Sequence, residues 1–206
     1  ALENDSVIEL DNQGSDILAF TLVTAAITVN LSSTLVQPVH VNRTLQLSSG
    51  NAFETVFCNS GSFDDMLTGN SLANYLASGG GNDTLNGGSG NDLLDGGSGN
   101  DTITGGPGND TITGGDGNDL MYGGTGNDAF NFNQVTSAES DFVAEYSGQG
   151  TDTISFSLLS IGVTLGLNTN SPQSAHANRT LQLNQNATFE FLIGGSGDDT
   201  LLGNSL

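Results

Sequence analysis

The chain has no tryptophan, no lysine, one cysteine and three prolines, and its only basic side chains besides two histidines are two arginines. Each shortage excludes something. Two arginines against 23 acidic residues leave a formal charge of -21. No basic patch can form, so nucleic acid and anionic membrane surfaces, which both demand clustered Lys and Arg, are excluded as partners. The same imbalance makes a compact state without counter-ions repel itself. With Cys58 alone, no internal disulfide is possible, and a secreted chain of this kind needs another staple. Cys58 has no nearby His and reads as a small strand residue rather than a nucleophile. No run of 18 apolar residues occurs, and no basic segment precedes an apolar one; this predicts no membrane insertion and no cleavable leader within these residues. Aromatic sugar platforms are poorly supplied, with Tyr75, Tyr122 and Tyr146 the only tyrosines.

Glycine is abundant, and it is periodic. From Ser60 to Asn131 the chain reads as eight nonapeptides without insertion: SGSFDDMLT, GNSLANYLA, SGGGNDTLN, GGSGNDLLD, GGSGNDTIT, GGPGNDTIT, GGDGNDLMY and GGTGNDAFN. The sixth position holds Asp65, Asn74, Asp83, Asp92, Asp101, Asp110, Asp119 and Asp128. The eighth holds Leu67, Leu76, Leu85, Leu94, Ile103, Ile112, Met121 and Phe130. One large apolar side chain every nine residues cannot make a helix face, which needs spacings of three and four. It suits a solenoid in which a strand of about three residues sends one side chain inward, a glycine turn reverses the chain, and two nonapeptides complete a rung stacked about 4.8 Å on the next.

That geometry places the sixth positions of alternate units above one another, with Asp83, Asp101 and Asp119 on one edge and Asp92, Asp110 and Asp128 on the other. Stacked carboxylates repel unless they share a cation. Carboxylates together with the carbonyls of glycine turns are hard oxygen donors and suit calcium. Zinc is a poor fit, because the array holds neither His nor Cys.

These units resemble the RTX (repeats-in-toxin, haemolysin-type) nonapeptide GGxGxDxUx. Units starting at Gly87, Gly96, Gly105, Gly114 and Gly123 match in full, and the one at Ser78 lacks only its first glycine. The resemblance implies an all-β fold, a right-handed parallel β-roll or β-helix solenoid with Ca2+ between turns, and about four to six ions. On one edge it implies ligands from Asp65, Gly79, Gly81, Asp83, Gly97, Gly99, Asp101, Gly115, Gly117 and Asp119. On the other it implies Gly88, Gly90, Asp92, Gly106, Gly108, Asp110, Gly124, Gly126 and Asp128. Sites would be bracketed by Asp83 and Asp101, Asp101 and Asp119, Asp92 and Asp110, and Asp110 and Asp128, with a further one between Asp65 and Asp83. Asn74 breaks the pattern opposite Asp92. Asp16 and Asp152, at the ends of isolated copies of the turn, and Asp199 are further metal candidates that serve equally as turn residues.

A longer period overlies the short one. Residues 1–54 repeat at an offset of 136, so that Asn42 to Leu47 recurs unchanged as Asn178 to Leu183; the offset then falls to 134, and Gly69 to Leu72 returns as Gly203 to Leu206. We expect flanking β-rungs over 1–59, the nonapeptide roll over 60–131, a turn or cap and a second set of rungs over 132–193, and the start of a second block over 194–206. His40 and Arg43 recur as His176 and Arg179. They read as a solvated loop and an ion pair in an acidic chain rather than a catalytic group. No nucleophile motif such as G-x-S-x-G stands in a strand-to-helix context, so an enzyme is not expected.

The leading expectation is a calcium-binding structural module of a secreted or cell-surface bacterial protein, folding after export, with neighbouring cassettes of a longer chain as partners. Type I export is implied by the resemblance alone. The alternative is an adhesion or carbohydrate-binding module, presented in tandem, whose partner is an extracellular polysaccharide or a cell surface. Ice binding is set aside, because the third positions read Gly80, Ser89, Ser98, Pro107, Asp116 and Thr125 rather than a threonine row.

Overall fold

The computed structural model describes residues 3–7, 17–21, 25–32, 37–40, 43–47, 54–59, 61–132, 139–145, 150–159, 164–166, 173–176, 179–183, 189, 191–196 and 198–202. Strands alone build it; no helix occurs among these residues.

Within each nonapeptide the seventh to ninth residues are extended, and alternation sends the eighth inward while its neighbours face out. Leu93–Ser98 shows the pattern: Leu94 is buried and Leu93 and Asp95 are more open. Each strand pairs in parallel with the strand two units away, so Leu94 faces Leu76 on one side and Ile112 on the other. Ile103 likewise stands between Leu85 and Met121. The expected two-unit rung is therefore the observed one. Strands run from three to six residues, longer than the expected three, because the first glycines of the following unit stay extended and keep the ladder, as in the Gly97 to Gly115 pair.

Two eight-stranded sheets result. The first runs through Ile17–Thr21, Thr55–Asn59, Tyr75–Gly80, Leu93–Ser98, Thr111–Asp116, Ala129–Asn131, Thr153–Ser155 and Phe191–Ile193. In the second, Thr28–Asn30, Met66–Thr68, Thr84–Asn86, Thr102–Pro107, Leu120–Thr125, Glu139–Ala144 and Arg179–Leu183 stack in that order, and Gln173–His176 adds antiparallel to the last. The inward residues of both form one hydrophobic cluster. Leu67, Leu76, Leu94, Ile103, Ile112, Met121 and Phe130 are all fully buried. Each such side chain contributes about 1.5 to 3 kcal/mol by leaving water.

The parallel ladders extend past the nonapeptides at both ends. Phe142 pairs with Leu120 and Thr153 with Ala129, so the stretch after residue 131, where a turn or cap was expected, contains a strand, Glu139–Ala144, that forms part of a rung. The rungs there are longer, and phenylalanines fill them. Phe132 stacks on Phe156 at 5.1 Å, and Phe130 meets Phe189 edge-on at 5.8 Å.

The 136-residue period is also structural. Glu3–Val7 pairs with Arg43–Leu47 as Glu139–Ala144 pairs with Arg179–Leu183, and the antiparallel register of His40 with Arg43 recurs as His176 with Arg179. In the same way Thr28–Asn30 on Met66–Thr68 recurs as Thr164–Gly166 on Thr200–Leu202.

Candidate metal centre

The turn that carries each aspartate depends on two glycines. Gly106 (φ 113°) and Gly108 (φ 146°) lie where side-chain-bearing residues are strained. A Cβ on either would also strike the carbonyl of the glycine one rung back, Gly88 or Gly90. Every other glycine expected as a ligand also has positive φ. The reversal brings the sixth residue inside, and Asp83, Asp92, Asp101, Asp110, Asp119 and Asp128 are all within 3 % of complete burial.

The two oxygens of these carboxylates have different environments. Oδ1 of each accepts the backbone N–H of the equivalent residue one rung back: Asp101 from Asp83 at 2.8 Å, Asp119 from Asp101 at 2.9 Å, Asp110 from Asp92 at 2.8 Å and Asp128 from Asp110 at 2.8 Å. These bonds fix the side-chain rotamers and lock the rungs in register. Oδ2 of Asp83, Asp92, Asp101, Asp110 and Asp128 is buried with no hydrogen-bond partner among the described residues. A buried carboxylate oxygen left in that state is costly unless a cation meets it.

The first glycine of each unit forms the wall of the space that Oδ2 enters. A Cβ on Gly87 would strike Asp92 Oδ2 and the carbonyl oxygen of Gly105. On Gly96 it would strike Asp101 Oδ2 and the Gly114 carbonyl, and on Gly105 the Asp110 Oδ2 and the Gly123 carbonyl. Carboxylate and carbonyl oxygens from two rungs thus converge on one cradle, a hard all-oxygen donor set that fits calcium.

Burial pushes the carboxyls of Asp92, Asp110 and Asp128 up to about 6 and that of Asp101 up to about 7, against the opposing pull of the backbone N–H each accepts. For Asp101 the neighbouring Asp119, Asp83 and Asp95 push in the same direction as burial. Asp83 is raised too, again chiefly by burial.

The remaining expected residues fall as follows. Asp65 is buried, its Oδ1 accepts the Ile27 N–H, and its own N–H donates to Asp83 Oδ1 at 2.7 Å. Asn74 keeps its place in the ladder by donating to Asp92 Oδ1 at 2.7 Å, while its own Oδ1 accepts the Asn70 N–H at 2.8 Å. Asp152 is buried and accepts the Asp128 N–H. Asp199 backs onto Gly194 as Asp92 backs onto Gly87. Asp16 lies outside the described residues, as do the side chains of His40, Arg43, His176 and Arg179. Cys58 is buried in the core, and burial raises its thiol far from reactivity, with Asp65 and Asp83 adding to the effect.

Sequence reasoning missed three sets of residues. The first glycines, Gly87, Gly96, Gly105, Gly114 and Gly123, line the cradle. The fifth-position asparagines form an exposed ladder running opposite to the aspartates, Asn100 donating its N–H to Asn82 Oδ1 and Asn118 to Asn100 Oδ1. Asp141 takes the place of a sixth-position aspartate by accepting the Asp119 N–H, 22 residues away instead of 18. The 136-residue period carried a signal for this last set, since Glu139 and Asp141 fall on Glu3 and Asp5.

The RTX calcium-binding nonapeptide repeat matches the chain in four copies, over residues 59–94, 68–103, 95–130 and 186–205. The chain carries an RTX array. Its parallel β-roll is the fold those repeats adopt, and the array is a calcium-binding repeat module whose repeats are structural rather than catalytic units. No curated protein matches the chain. The last matched copy, 186–205, includes the Gly194 and Asp199 pair.

Proposed function

We propose that the chain is a structural module that calcium folds after export, in a secreted or cell-surface protein built from tandem cassettes of this kind. The observation that carries the reading is the series of buried, unpartnered Oδ2 atoms, of which those of Asp92, Asp101 and Asp110 each lie beside a glycine carbonyl of the neighbouring rung. Ions bracketed by Asp83 and Asp101, Asp101 and Asp119, Asp92 and Asp110, and Asp110 and Asp128 would meet these oxygens. One between Asp65 and Asp83 would extend the first edge, and Asn74 withholds a carboxylate from the second. Four to six ions offset roughly eight to twelve of the 21 excess negative charges.

The switch follows from linkage. An ion that binds only the folded chain stabilises it by RT ln(1 + [Ca]/Kd) per site, and several sites compound. Extracellular modules hold calcium at roughly 10⁻⁴ to 10⁻³ M, far above cytosolic levels, so the chain stays unfolded inside and folds outside. RTX repeat proteins are typically secreted by the type I route, and an unfolded chain suits a narrow channel. The recurrence of the same strand pairings at an offset of 136 supports tandem cassettes.

Far-UV circular dichroism across a calcium titration tests the switch. A cooperative gain of β signal near millimolar calcium, absent with magnesium, is expected. Full β structure in chelator would defeat the export switch.

A further inference from the structure

Beyond the last nonapeptide the 18-residue spacing ends. The Asp128 N–H donates to Asp152 Oδ1 at 2.9 Å, 24 residues on. Glu145, which follows the Glu139–Ala144 strand, folds back to this point and is fully buried. One carboxylate oxygen from each of Asp128, Glu145 and Asp152 lies within 4.8 Å of the others. Gly123 makes the approach possible: a Cβ there would strike both Glu145 Oε1 and Asp128 Oδ2. Asp128 Oδ1 is held by the Asp110 N–H, while its Oδ2, in a residue only 1 % exposed, points into the cluster with no hydrogen-bond partner among the described residues.

We propose that Asp128, Glu145 and Asp152 form a three-carboxylate calcium site, outside the nonapeptide pattern, that binds its ion more tightly than the sites between pairs of repeat aspartates. The proposal rests on the reading that the array holds calcium. Three buried carboxylates so close repel strongly unless a cation meets them. Without nitrogen or sulfur ligands in the cluster, the fitting cation is a hard one. Calcium affinity rises with ligand charge and site rigidity, and this site has three carboxylates where a repeat site has two. Both Asp128 and Asp152 are pinned by the backbone ladder. At the cassette offset, Glu145 and Asp152 correspond to Glu9 and Asp16, so the same pair recurs in the first flank.

Calorimetric titration of the whole chain and of Glu145→Gln tests the site. The unaltered chain should show one step at least about tenfold tighter than the rest, and Glu145→Gln should lose that step alone. Asp101→Asn should weaken later steps and keep the tight one. A tight step that survives in Glu145→Gln overturns the three-carboxylate site while leaving calcium binding by the repeats intact; a chain that takes up no calcium overturns both. Hydrogen exchange on the unaltered chain at substoichiometric calcium gives an answer independent of how the variant folds. Protection should arise first over 123–132, 139–145 and 150–152, and protection arising first elsewhere among the described residues overturns the proposal.

Discussion

Replacing Gly105 by alanine separates the cradle from the backbone. Gly105 does not have the left-handed conformation of its neighbour Gly106, so its φ admits alanine and the clash lies in the cradle itself. Its methyl group, however, would enter the space between Asp110 Oδ2 and the Gly123 carbonyl, where an ion shared by Asp110 and Asp128 would lie. Gly106→Ala is the contrast: φ of 113° adds backbone strain, and its Cβ meets the Gly88 backbone and no carboxylate.

The two variants should fail differently. Each bound ion adds about 1.4 kcal/mol to stability per tenfold rise in free calcium, well above its Kd. Gly105→Ala, lacking one ion, should therefore show a dependence of unfolding free energy on log calcium that is shallower by about 1.4 kcal/mol per decade. Gly106→Ala should lose roughly 1 to 3 kcal/mol at every calcium concentration through backbone strain, with the slope and the ion count kept. Urea unfolding at several calcium concentrations, with ion counting by native mass spectrometry, measures both. A Gly105→Ala chain that keeps the full ion count and slope would refute the assignment of this cradle to calcium.

Three further outcomes are expected. Asn74→Asp restores the missing carboxylate opposite Asp92 and should add one ion to the count, whereas an unchanged count would show that the first rung on the edge of Asp92, Asp110 and Asp128 cannot close a site. Ile103→Ala, at a fully buried position between Leu85 and Met121, should cost about 2 to 5 kcal/mol in urea unfolding at saturating calcium, and a cost near zero would contradict the ladder core. In chelator the chain should gain β signal as pH falls from 8 to 5. Asp92, Asp110 and Asp128 titrate near 6 in the fold, Asp101 near 7 and Glu145 near 8, all above the unfolded carboxyl values near 4. The folded form therefore binds more protons between those limits, so its stability falls as pH rises through 6 to 8. Calcium, competing with those protons, should bind more weakly over the same interval as pH falls, and a metal-free chain less ordered at pH 5 than at pH 8 would contradict the assignment.

The register and the core were legible from the nine-residue period together with the expectation of two nonapeptides per rung. With one apolar residue every nine positions and two nonapeptides to a rung, Ile103 stacks on Leu85 and Met121 and all three are buried. The division of labour within each carboxylate was not legible. Spacing places Asp110 above Asp92, but only the fold shows that Oδ1 is committed to a backbone N–H and Oδ2 is left for the cradle. Glu145 escaped for a different reason: it reaches Asp128 through a 24-residue rung of no fixed pattern, and periodicity carries no information once the period changes. The asparagines at the fifth position read as ordinary turn formers, and their exposed ladder is visible only when the rungs are stacked.

On the proposed reading, calcium lies between carboxylates one rung apart. Anomalous X-ray scattering from crystals grown in calcium tests it most directly. Two rows of anomalous peaks are expected, one running past Asp83, Asp101 and Asp119 and the other past Asp92, Asp110 and Asp128, with successive peaks about 4.8 Å apart as stacked strands require. An ordered roll whose carboxylate edges carry no peaks, or whose peaks lie only at surface acids such as Asp64 and Asp198, would contradict it.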